Sequence, residues 1–248
     1  MREKGVTKQR CCPLSDGQTL DVVEVRVATP RPPRHWQRVA DIDVCYLCGK
    51  PKAEPWNRDH VPPKQFFPKS LVRTGKVDSM EWLPTHQKCN EAFRLDEEYF
   101  AVALGVTARK TVAGHALLHD ILERIDRGGQ MALVARVHAE FVTPLEKKID
   151  RYRVDRVATK IVRGLHFLRT GRLIPSSTTF YGDMTLFHPD NLADIDTTLD
   201  QIGLPAADEG AFPQVFRMKA VMTEPGRHTY TLVFWETVVY VLSFFDEA

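Results

Sequence analysis

Long apolar runs are missing from this sequence of 248 residues. Nowhere do eighteen apolar residues follow one another, so no segment is a candidate membrane span. The opening stretch MREKGVTKQRCC lacks the apolar core of a secretory leader. The expectation is a soluble protein of the cytoplasm with no membrane partner. Cysteine is sparse: five residues, an odd number, which argues against a disulfide scaffold in a chain without a leader. Cys11 and Cys12 are adjacent and pair poorly with each other. There is no internal repeat and no low-complexity tract, so neither a solenoid nor a biased tail is indicated.

Acidic residues are sparse in one part and abundant in another. Positions 101–175 hold fourteen Lys/Arg against seven Asp/Glu, and positions 176–248 hold three against eleven, although the net charge is only +2. A basic block either contacts phosphates or is a solvated helix face.

Local pattern divides the chain into four parts. Residues 1–40 read as a poorly organised segment, with a short strand at 21–28 and a Pro/Arg linker in TPRPPRHW. Residues 41–105 begin as short elements and turns; from Thr85, a plausible N-cap, they become helical. Residues 106–175 read as helices over 111–126, 130–142 and 144–169, with Pro144 in the first turn of the last and Gly171 ending it. Residues 176–248 are acidic and β-rich. QVFRMKAVM, HTYTLVFW and TVVYVLSFF form a small antiparallel meander, and EPGR marks the first turn. The fold class expected is α+β.

Chemistry concentrates in the second part. Cys45-x2-Cys48 opens a metal knuckle, and His86-x2-Cys89 supplies a second pair; Cys3His is a standard tetrahedral zinc set. A redox dithiol would open a helix, which Gly49, Pro51 and Pro55 forbid. Between the two pairs lies NRDHVPPKQFF. Pro62 and Pro63 stiffen the chain directly after Asp59 and His60. That string fits either a turn with both side chains in solvent or an acid–histidine pair held for chemistry. Asn90 directly follows Cys89, so zinc binding would bring its amide towards Asp59 and His60. The carboxylate and amide are hard oxygen ligands suited to Mg2+ or Mn2+, and a neutral imidazole can take a proton from water.

The segment CYLCGKPKAEPWNRDHVPPKQFF, with EWLPTHQKCNEAF after it, resembles the HNH endonuclease family and its ββα-metal fold. The likeness covers roughly residues 41–104. FRLDEEYF and KIVRGLHF are also similar to segments of bacterial and prophage HNH proteins. The resemblance implies that His60 is the general base, that Asp59 and Asn90 hold one catalytic Mg2+ or Mn2+, and that Cys45, Cys48, His86 and Cys89 hold a structural Zn2+. It implies a nucleic-acid endonuclease with DNA as the favoured partner. The chain departs from the family at two places. His86 stands where cysteine is more usual, and Glu81 stands where the middle Asn of the family falls. Arg156, Lys160 and Arg163 lie at helical spacing and are the candidate phosphate contacts. The alternative reading is a zinc-knuckle nucleic-acid-binding or defence/interaction protein whose nuclease centre is degenerate.

Overall fold

The chain is mixed α+β, with several helices and a small antiparallel meander at its carboxy-terminal end. The computed structural model describes residues 42–72, 80–128, 131–143, 146–187 and 209–246, with the single positions 197 and 200. The segment 1–40 and its expected strand at 21–28 lie outside the described residues.

Strands β1 (Trp56–His60) and β2 (Trp82–His86) pair antiparallel, with Asp59 opposite Leu83 and His60 opposite Trp82. Both are edge strands of a two-stranded sheet, which is where Pro84 is tolerated. The pair is tied at both ends: the Val61 amide donates to Glu81 O at 3.0 Å and the Gln87 amide to Pro55 O at 3.0 Å. Helix α1 (Lys69–Val72) follows a 3-10 turn at Lys64–Phe66, and helix α2 (Gln87–Gly105) starts directly on the end of β2. Thr85 is therefore a buried strand residue and not the expected N-cap; His86 occupies that position without a side-chain cap bond. The Thr85 hydroxyl is instead 3.2 Å from Cys45 Sγ.

Helix α3 (Val112–Asp126) starts one residue after the expected 111, with Thr111 as its N-cap, Oγ1 accepting the Gly114 amide at 3.0 Å. Helix α4 (Met131–Ala139) is shorter than expected and gives way to β3 (Phe141–Thr143), paired with β4 (Glu146–Lys147). Helix α5 (Arg151–Thr170) thus begins seven residues after Pro144, capped by Asp150. The delay has a tertiary cause. The Asp150 amide donates to Tyr99 Oη at 2.8 Å and Lys147 Nζ to Ala103 O at 2.8 Å, holding 147–150 against α2 in a non-helical path. Gly171 ends α5 at φ 71°, a left-handed conformation suited to glycine, as expected.

The sheet has strand order β5-β9-β8-β7-β6, where β5 is Tyr181–Leu186, β6 Glu209–Phe212, β7 Phe216–Glu224, β8 Arg227–Phe234 and β9 Val238–Phe245. The expected three-strand meander forms its centre, with the turn at Gly226 in positive φ. The tight turn from β8 to β9 places Trp235 and Glu236 at φ 48° and 61°, unusual for residues with large side chains. The fully buried Trp235 indole donates to Phe66 O at 2.9 Å, and Phe66 stacks on Phe100 of α2 at 4.8 Å. One continuous hydrophobic cluster runs from Tyr46 and Val61 through α2 and α5 to Phe234 and Phe244.

The approach of α5 to the end of β1 depends on Gly164. A Cβ there would lie 2.7 Å and 2.9 Å from the two Val61 methyls and 3.3 Å from the Tyr46 ring. Val61 is buried and branched, so it cannot give way by rotation. Gly164→Ala should therefore lower stability by about 1–3 kcal/mol from overpacking, outweighing the roughly 1 kcal/mol gain in helix propensity. Thermal unfolding checks it; a rise in Tm would refute the tight contact.

Candidate metal centre and active site

The knuckle is built by short-range turns. The Gly49 amide donates to Cys45 O at 2.8 Å and the Cys45 amide to Lys50 O at 2.9 Å, which curls Cys45 and Cys48 to one side. Gly49 takes φ 70°, a position that asks for glycine. The end of β2 and the first turn of α2 bring His86 and Cys89 to the same place. One ligand atom from each of Cys45, Cys48, His86 and Cys89 lies within 4.8 Å of the others, so the cluster can hold a metal ion such as zinc. His86 Nε2 donates to Pro51 O at 2.9 Å, leaving Nδ1 to face Cys48 Sγ at 3.4 Å and Cys89 Sγ at 3.8 Å. This is the tautomer a ligating histidine needs, with its other nitrogen anchored by a carbonyl. Burial raises the Cys45 thiol, but the Thr85 hydroxyl and nearby amides outweigh it and bring it to about 7. Cys89 is pushed up to about 12 by burial and then by the neighbouring sulfurs. Crowded sulfurs of this kind are relieved by a bound cation.

Asp59 and His60 end β1 and point into different surroundings. Asp59 is 4% exposed, so the reading with both side chains in solvent is excluded. Tyr46 Oη donates to Asp59 Oδ2 at 2.6 Å. His60 is half-buried, and among the described residues no hydrogen bond engages its ring. Burial holds the His60 imidazole below 6.5, helped by Lys64 and Arg58 and opposed by Asp59.

Asp59 and Asn90 are brought together, as expected, but the group between them is Lys160. Its Nζ donates to Asp59 Oδ1 at 3.0 Å, to Asn90 Oδ1 at 2.9 Å and to Glu97 Oε1 at 2.5 Å. Gln65 Nε2 donates to the other Glu97 oxygen at 3.1 Å. Burial pushes the Glu97 carboxyl up, partly offset by Lys160.

This corrects the expected phosphate-binding role of Lys160. Lys160 is 1% exposed and faces α2, not solvent. Arg156 pairs with Asp96 of α2, which also accepts from Arg153 Nε at 2.6 Å. Arg163 Nη1 donates to Ile174 O at 2.5 Å and Pro175 O at 3.1 Å. A helix face that is cationic in sequence is thus spent largely on internal contacts. Exposed cations lie instead beside His60: Arg58, over the Trp82 ring at 4.6 Å, and Lys64. Their nearness to His60 in sequence was the available signal. His115 and His119 are both exposed and make no joint site.

The Cys3His set fits zinc. The Asp59–Asn90 pair does not fit Mg2+ or Mn2+ as it stands, because an ammonium already fills the space between the oxygens. Among the described residues no helix is long and apolar enough to cross a membrane. No protein-family model matches the chain, and no curated protein or solved structure matches it significantly.

Replacing Cys89 by serine should remove zinc from the chain and lower Tm, since the metal ties residues 45–48 to the start of α2. Elemental analysis beside thermal unfolding checks this. Full zinc content in Cys89→Ser would exclude this ligand set.

Proposed function

We propose that the chain is a nucleic-acid endonuclease of the ββα-metal type. It hydrolyses phosphodiester bonds, with DNA as the favoured polymer, and zinc on Cys45, Cys48, His86 and Cys89 plays a structural part. The observation that carries this reading is the His60 ring. It sits at the end of β1, beside buried Asp59, with no hydrogen bond among the described residues and with Arg58 and Lys64 flanking it. A neutral imidazole there can accept a proton from water as the water attacks phosphorus. Arg58 and Lys64 can neutralise non-bridging oxygens and hold the backbone in place. The strand–strand–helix order of β1, β2 and α2 supports the architecture, and so does the convergence of the four zinc ligands at its base. As the water oxygen bonds to phosphorus the bond to the 3′ oxygen breaks, and the 3′ oxygen takes a proton from solvent, leaving the family's 5′-phosphate and 3′-hydroxyl ends. No step is assigned to a divalent ion on Asp59 and Asn90.

A nucleic-acid-binding or defence/interaction protein with a silent centre is the second reading. One observation favours it: Lys160 takes up the oxygens that would otherwise serve a catalytic metal.

Nicking of supercoiled plasmid separates the two. His60→Ala should lose about 10²–10⁴-fold in rate at unchanged zinc content. Absence of cleavage by the unaltered protein, with DNA still bound, would establish the second reading. Activity should fall as pH drops below 6.5, because protonation removes the acceptor lone pair and the imidazole is held below its ordinary value. An acid limb above pH 7 would rule His60 out as the base.

Arg58→Ala and Lys64→Ala should each weaken DNA binding across all sequences and reduce the slope of log K against log salt by about 1. Unchanged slopes would place the phosphate path elsewhere.

A further inference from the structure

The oxygens that the family resemblance assigns to a divalent ion surround a cation that belongs to the chain. Lys160 Nζ is 2.8 Å from Asp59 Oδ2 and 3.0 Å from Oδ1, 2.9 Å from Asn90 Oδ1 and 2.5 Å from Glu97 Oε1. An ammonium has three N–H donors, and three residues accept them. The distances are those of hydrogen bonds, not the roughly 2.0–2.1 Å of Mg2+–oxygen contacts. The lysine cannot easily withdraw to solvent. It is 1% exposed, and its helix is pinned to α2 by Arg153 and Arg156 on Asp96 and seated on Val61 at Gly164. A divalent ion on the same oxygens would sit against a like charge in a poorly solvated pocket.

We propose that Lys160 is the resident cation of this pocket: its ammonium takes the place of the divalent ion, and the chain binds no Mg2+ or Mn2+ on Asp59 and Asn90 while the lysine is there. One consequence rests on the hydrolase reading, that cleavage proceeds without added Mg2+ or Mn2+ in zinc-loaded protein. The site is then one for a fixed single charge, whose occupancy does not vary with ion concentration.

The test is Mn2+ titration of the zinc-loaded full chain, read by electron paramagnetic resonance. The unaltered protein should show no Mn2+ site that Asp59→Asn removes. Lys160→Ala should gain one Mn2+ per chain, lost again when Asp59→Asn is added. Lys160→Met, which keeps the apolar stem and removes the charge, serves if the alanine protein fails to fold, with zinc content and Tm as the check. One Asp59-dependent Mn2+ on the unaltered protein would overturn the proposal, since the lysine would then yield to the metal. A folded Lys160 variant that binds no Mn2+ would overturn it too, leaving only an ion pair. The unaltered protein decides the first point even if both variants unfold. Plasmid nicking separates this inference from the reading beneath it. Cleavage that requires added Mg2+ and Asp59 would sink the inference and leave the hydrolase standing. No cleavage under any condition would sink the hydrolase and leave the Mn2+ result to stand by itself.

Discussion

The ammonium of Lys160 lies between β1, α2 and α5, bonded to Asp59, Asn90 and Glu97. Taking a charge of that size out of water costs several kcal/mol even after relaxation. Such a group persists in the interior only when each donor is met, and here each is. The requirement acts on the whole site. It fixes the rotation of α5, because only one face can deliver the lysine. It fixes the first turns of α2, because Asn90 and Glu97 must face the same point. It also holds Asp59 inward at the end of β1, which leaves the next residue, His60, half-exposed on the other side of the strand. The acid and the histidine are neighbours in sequence, but only the histidine reaches the surface.

A second layer of charge supports the first. Arg153 and Arg156 converge on Asp96, one residue before Glu97, so α2 and α5 are joined by two adjacent ionic contacts along one seam. The aromatic layer works from the opposite side. Trp235 adopts a left-handed backbone conformation in its turn and reaches Phe66 O, while Phe66 stacks on Phe100 of α2. A strained turn of this kind costs on the order of 1–2 kcal/mol, offset here by burying a whole indole with its N–H satisfied. The carboxy-terminal sheet therefore bears on the segment between β1 and β2.

What was legible in the sequence was short-range. The Cys-x2-Cys knuckle, the stop at Gly171 and the EPGR turn each depend on residues within a few positions, and each is found. What was not legible was decided by partners far along the chain. Lys160 reads as a surface cation because it belongs to a helical stripe with Arg156 and Arg163; its acceptor on Asp59 lies 101 positions away. Part of the basic excess of 101–175 is met in the same way, by Asp96 and Glu97 outside that window. Thr85 looks like a cap until Cys45 competes for its hydroxyl, and Pro144 looks like a helix start until Tyr99 and Ala103 hold the following residues.

A lysine in this position differs from a metal in more than charge. A divalent ion offers open coordination positions and can take an oxygen of the substrate directly. The Lys160 ammonium has spent all three donors on protein oxygens, so its effect on a bound phosphate is through space and passes Asp59, whose negative charge offsets it. Its contribution is to keep Asp59 and Asn90 in register at the end of β1. On the proposed hydrolase reading, charge that meets a phosphate directly would come from groups outside the pocket. Arg58 and Lys64 are exposed cations on either side of His60 in the chain, and both add to the effect of burial in lowering the imidazole's proton affinity. On the proposed hydrolase reading, the two tasks a metal would combine, neutralising the phosphate and ordering the site, would be divided between the exposed Arg58 and Lys64 and the buried Lys160.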